Sequence, residues 1–255
     1  MLFEIWLLGR PMWNIPLLTA VLCLAFFYVI LIKYVLRLTL YHKQLLIFFC
    51  SLLLFYLTIG SPFVSISHLS FSLHMIHMSF LFFIIPPLFL LGIPDLLWQR
   101  IRLLQGMSFA ALYMFAFLFL LYHIPVILSF LAQNPLMQNG YLILLFLLAF
   151  GMWMPIVVPR HPLEKNRYAY ISGAVLIPAC LLFIFRAILG ETSNPLLGQI
   201  TANFCMDPSM MNSLNPLPFN SRWDQVLAGI LMLIIHKSGL FLTVRLGSKV
   251  QNRGY

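Results

Sequence analysis

Residues 70–91 read SFSLHMIHMSFLFFIIPPLFLL, twenty-two positions without Asp, Glu, Lys or Arg. About seventeen to twenty-five such residues cross the hydrocarbon of a bilayer as a helix. The stretch is therefore a membrane span, yet its first half carries two imidazoles and two thioethers and its second half a double proline, Pro86-Pro87. Ring nitrogens in hydrocarbon are costly and tend to mark ion paths, cofactors or metals.

The rest of the chain fits the same solvent. Hydrophobic residues make up 62% of the 255 positions and charged ones 8%, against roughly 25% charged in a soluble domain. Seven apolar runs are readable, at 15–35, 44–62, 70–91, 107–130, 141–158, 170–189 and 223–244. The expected fold is an all-α integral membrane protein, a seven-transmembrane-helix bundle forming one membrane domain over 1–255. The first run follows Arg10-Pro11 and lacks a small-residue cleavage site, so it is read as a retained span. Lys33, Arg37, Lys43, Arg100, Arg102, Arg160, Lys165, Arg167, Arg245, Lys249 and Arg253 all fall on one side of that bundle, and only Arg10, Arg186 and Arg222 on the other. The positive-inside rule then puts the N-terminus outside and the C-terminus in the cytoplasm. The net charge of +9 reflects topology. With no basic helix or aromatic platform, nucleic acid is excluded as a partner. One external connection has substance, 190–222 between the sixth and seventh spans, carrying Cys205, Met206, Asp207, Met210 and Met211.

This orientation gives the histidines depth. The third span runs inward, placing His68 at its outer mouth and His74 and His77 one to two turns below, at about 1.5 Å per residue. The fourth runs outward and carries His123 in its outer half. Residues three and four apart share a helix face, so His74, His77 and Met78 form one face, with Met75 about 100° away from His74. With His123 across the helix interface, and Cys205 or a loop methionine as a mobile addition, this is an N/S donor set suited to Cu(I). His74, His77, Met78 and His123 are the leading candidates; His68, Met75 and Cys205 are weaker ones. Each histidine taken singly also fits a plain hydrogen bond to a neighbouring helix. His236, beside Lys237, is given a structural role, with the lysine reaching toward the cytoplasmic surface. Cys23, Cys50 and Cys180 are read as small apolar residues in spans, and most of the thirteen methionines as packing.

Several enzyme templates fail. No span holds paired carboxylates, and there is no Gly-rich phosphate loop, Cys-x-x-Cys or Ser/His/Asp grouping. A retinal-type Schiff base at Lys237 would need a nearby carboxylate, and Asp224 is some three turns away. The chain is expected not to be an enzyme.

Ser72-Leu73-His74-Met75-Ile76-His77-Met78, continuing to Ile85-Pro86-Pro87-Leu88-Phe89-Leu90-Leu91-Gly92-Ile93-Pro94, resembles the signature of the CtaG family, assembly factors of bacterial caa-type cytochrome c oxidase. Tyr122-His123-Ile124-Pro125, Met152-Trp153-Met154-Pro155 and Asp224-Gln225-Val226-Leu227-Ala228-Gly229-Ile230-Leu231-Met232 resemble further family segments, in the same order. Asn134-Pro135-Leu136-Met137-Gln138-Asn139-Gly140-Tyr141 is similar to the Gram-positive branch. Three departures stand out: Met78 where many members carry histidine, Gln138 where a histidine precedes the fifth span, and Leu128-Ser129 in place of a Tyr-Asp pair. The resemblance implies a multi-pass protein of the bacterial plasma membrane. It would help assemble a cytochrome c oxidase by contact with its subunits, passing copper from an external carrier. The alternative from the residues is a membrane oxidoreductase subunit linked to haem or quinone, with His74 or His77 and His123 as axial ligands.

The orientation is checked with fusions. A fluorescent protein at the C-terminus is expected to fluoresce and alkaline phosphatase fused at Cys205 to be active; the opposite pattern overturns the topology.

Overall fold

The computed structural model describes residues 13–35, 42–94, 97–98, 108–158, 162–190 and 220–251. Among these every regular element is helical. The helices are α1 (Ile15–Ile30), α2 (His42–Ile59), α3 (Phe63–Ser67), α4 (Phe71–Ser79), α5 (Ile85–Gly92), α6 (Ser108–Tyr122), α7 (Pro125–Gln133), α8 (Pro135–Val157), α9 (Pro162–Val175), α10 (Ile177–Leu189) and α11 (Ser221–Gln251). Single π-helical stretches follow α1 at Leu31–Val35 and join α4 to α5 at Phe80–Ile84.

Seven spans were expected, and the described residues hold five helices long and apolar enough to cross a membrane: Ile15–Tyr34, Phe71–Gly92, Pro135–Val157, Lys165–Leu189 and Ser221–Lys249. The second apolar run is a shorter helix, Lys43–Ile59. The fourth is not one helix. It breaks into α6 and α7, bent by 81°, and would make a sixth span only as a broken pair. The reason is local. Pro125 has no N–H to continue the helix and pushes the residue before it out of the α region; Ile124 accordingly sits at φ −72°, ψ 128°.

The third run is the axis of the bundle. Of its most apolar stretch 72% is buried, against 11% to 44% in the other four long helices. Its start is capped from two directions. Ser70, in extended backbone, accepts from Leu73 N–H at 3.1 Å through its side chain. Asp224, in the first turn of α11, accepts from Phe71 N–H (2.7 Å), Ser72 N–H (3.1 Å) and the Ser72 hydroxyl. His74 N–H then bonds Ser70 O at 3.0 Å. The helix thus begins with none of its first-turn donors unpaired, which hydrocarbon requires.

At the double proline the α-helix gives way to a widened turn within one continuous span: Ile85 N–H bonds back five residues to Phe80 O, as in a π-bulge. Pro86 and Pro87 cannot donate to Phe82 O and Phe83 O. Phe82 O is met by Trp153 Nε1–H from α8 at 2.9 Å. Against Phe83 O lies the backbone of Gly239 in α11, so close that a Cβ there would sit 2.6 Å from the oxygen; a Cα–H contact fits this approach. Higher on α11, a Cβ on Gly229 would sit 2.7 Å from Cys180 O of α10. His236 packs between these layers, 4.8 Å from Phe83 and 6.2 Å from Trp153 by ring centroid, with its Nε2 buried and without a hydrogen-bond partner. Cys180 is buried, whereas Cys23 and Cys50 are exposed on the bundle's apolar surface.

Trp153→Phe keeps the ring and strands the Phe82 carbonyl, and is expected to lose about 1–3 kcal/mol. Gly239→Ala forces a methyl onto the Phe83 carbonyl and is expected to cost about 1–3 kcal/mol by overpacking. Thermal unfolding in detergent checks both, with Ala174→Gly on an exposed face as control. Asp224→Ala uncaps α4 and is expected to destabilise by about 1–3 kcal/mol, with faster hydrogen exchange confined to Phe71, Ser72 and Leu73.

Candidate metal centre

Three histidines meet where the chain doubles back between α3 and α4. His68 ends α3 in helical backbone (φ −78°, ψ −11°), and its ring centroid lies 5.7 Å from that of His74. The ring of His74 is 6.4 Å from that of His77, its neighbour three residues on along the same helix face. The planes within each pair tilt by 33° and 32°. His74 and His77 are buried in the bundle, at 2% and 7% exposure. Burial also lowers the His68 pKa from its ordinary value, because desolvation disfavours the charged ring.

Each buried ring is held from one side. His77 Nε2 lies 3.1 Å from Thr58 O in α2. A carbonyl only accepts, so the ring proton is on Nε2. His74 Nε2 lies 3.3 Å from the Tyr122 hydroxyl at the end of α6, and the rings of this pair are nearly parallel with centroids 6.0 Å apart. Gln138 of α8, which stands where the family resemblance places a histidine, is buried near Tyr122.

His123 sits at the corner between α6 and α7 rather than within a straight span. It donates from Nδ1 to Phe119 O and packs among Phe119 (4.5 Å), Tyr122 (5.3 Å) and Phe183 (5.2 Å). The direct polar neighbour of His74 across the interface is Tyr122. Met75 and Met78 are fully enclosed in the main apolar core. Cys205, Met206, Met210 and Met211 lie outside the described residues, as does most of the 190–222 connection.

The other nitrogens are the notable ones. Nδ1 of His68, His74 and His77, and Nε2 of His123 and of the distant His236, are buried without a hydrogen-bond partner. A buried polar atom left unpaired costs about 1–3 kcal/mol, and native proteins keep few of them. Three such atoms in one layer form a concentrated set of imidazole donors. Among the described residues no three His, Cys, Asp or Glu side chains stand in metal-holding positions. Three imidazoles sharing one ion through bonds near 2 Å would have ring centroids about 5.5 Å apart; the His68–His74 and His74–His77 pairs stand at 5.7 and 6.4 Å, wider than such a site. The nearby carboxylate, Asp224, is committed to Phe71 and Ser72.

Tyr122, Thr58 and Asp224 were not assigned to the site from sequence. A tyrosine hydroxyl in an apolar run needs a partner when buried, and the single carboxylate of the last span needed a donor; both were usable signals. The Thr58 carbonyl is a backbone group and left none.

The family model of cytochrome c oxidase caa3 assembly factors matches residues 26–245, taking in the histidine cluster, the double proline, Trp153 and Asp224. No curated protein and no solved structure matches the chain. A match over nearly the whole length, on a helical apolar bundle, carries the conclusion that the chain belongs to the CtaG family of cytochrome c oxidase caa3 assembly factors and is a multi-pass bacterial membrane protein.

Proposed function

We propose that this assembly factor takes copper from a carrier on the external face into the His68–His74–His77 cluster and passes it to its oxidase client. The observation that carries the reading is the set of three buried imidazole nitrogens without partners in one layer. Neutral donors in an apolar surrounding leave the charge of a bound ion largely uncompensated. The idealised cost of burying an ion rises with the square of its charge, so such a layer favours a monovalent ion over a divalent one. Imidazole and thioether donors together suit Cu(I). Met78, one turn beyond His74, and His123, beside Tyr122, are reserve donors; Met75 and Cys205 remain the weaker ones.

Rings that must close before they bind hold an ion less tightly than a preformed site, and loose holding favours transfer. The assembly role is the family's; the copper cargo, its direction and its ligands are the proposal.

Anaerobic titration of the purified protein is expected to give about one Cu(I) per chain, and His74→Ala to lower the affinity at least tenfold. Cells carrying His74→Ala should make an oxidase deficient in copper. Unchanged Cu(I) binding and oxidase maturation in that variant overturn the proposal. A Soret band in the purified wild type would instead support the haem-linked alternative.

A further inference from the structure

We infer that α7 is a lipid-binding element, a helix lying in the plane of the membrane and seated among the acyl chains of the leaflet at which α6 ends. On the charge-based orientation that leaflet is the external one. The inference does not depend on the copper reading.

Residues 103–159, which include α6, α7 and α8, contain no Asp, Glu, Lys or Arg, so the connection between these helices has none of the charges that hold a loop in water. Within it α7 turns 81° from the axis of α6. A helix that leaves a membrane-crossing one near a right angle runs along the bilayer rather than through it.

Depth follows from how α6 and α8 pair. The Tyr141 hydroxyl donates to Leu118 O at 2.7 Å, the Tyr122 and Tyr141 rings are 5.9 Å apart, and toward the other end a Cβ on Gly151 would lie 2.8 Å from the Ala111 methyl. This antiparallel register sets the end of α6 level with Tyr141, and residues 135–140 of α8 rise past it. At about 1.5 Å per residue, Tyr141 stands about 24 Å from Val157, where α8 ends. The hydrocarbon is about 30 Å thick. With Val157 at the opposite boundary, close in sequence to Arg160 and Lys165, α7 starts about 6 Å inside the acyl layer. In-plane amphipathic helices bury their apolar faces about 5–10 Å into the boundary of that layer.

The side chains of α7 match this seat. Leu128 and Leu131 are buried against the bundle, while Val126, Phe130 and Gln133, at helical spacing on one stripe, are exposed. The stripe is apolar where α7 starts and ends on an amide where the chain climbs toward α8. That gradient follows the membrane normal, which favours lipid over a protein partner as the occupant. Tyr122 and His123, at the root of α7, are fully buried, so a lipid-seated helix closes this side of the histidine layer.

Collision electron paramagnetic resonance on the full chain, in nanodiscs of phosphatidylcholine and phosphatidylglycerol, reads the seat directly. Spin labels are placed one at a time, through an encoded non-canonical amino acid that leaves the native cysteines untouched, at Val126, Phe130, Gln133 and Asn139. Tyr113 on α6 is the lipid control. All of these positions carry exposed side chains, so the label displaces no packing. Molecular oxygen concentrates in hydrocarbon and a nickel chelate in water. The ratio of oxygen to nickel collisions at Val126 and Phe130 is expected to match that at Tyr113, then to fall at Gln133 and again at Asn139. Nickel collisions that dominate at Val126 and Phe130 would put α7 in water. Shielding from both reagents would mean that a protein surface covers it. Either result overturns the inference.

Discussion

A carbonyl in hydrocarbon must find its partner within the protein, and in this bundle the double proline creates two that the helix itself cannot serve. Phe82 O is met by the Trp153 indole and Phe83 O by the close passage of Gly239. These contacts fix α8 and α11 against the π-bulge of the central span. They also explain why an indole, a glycine and two prolines, far apart in the chain, belong together. An uninterrupted α-helix would have satisfied its own backbone and bound neither neighbour by hydrogen bonding. The flaw in one helix is what specifies its two neighbours.

The same last helix controls the other end of the axis. Asp224 spends its carboxylate on Phe71 and Ser72, starting α4 at a defined residue and so setting the rotation at which His74 and His77 emerge. Through this cap the residues next to the 190–222 connection are coupled directly to the histidine layer. Asp224 also leaves that layer free of a competing anion. The His74 and His77 rings there each meet a partner through Nε2, while their Nδ1 atoms are buried without one.

Much of this was legible in the sequence because it follows from solvent and period. Apolar runs are spans because the bilayer demands it, and His74 and His77 share a face because 3.6 residues make a turn. The fourth run shows where such reading stops. Its hydropathy is continuous, yet Pro125 bends it by 81° and moves His123 from a helix wall to a corner. The second run, ending at Ile59, is a shorter helix than hydropathy alone suggested. His68 was ranked below Met78 because helical spacing says nothing about a chain that folds back through α3.

The sequence by itself determined the class of protein, the positions of its five long apolar helices, the family, and the face that joins His74 to His77, since all of these depend on local composition and spacing. Only the tertiary structure decided that His68 completes the cluster, that Tyr122 rather than His123 bonds His74, and that Thr58 holds His77. Hydrogen bonds to backbone carbonyls and to residues 19 or 48 positions away leave no periodic trace. They exist only once the helices have packed, and the orientation of each imidazole is set there.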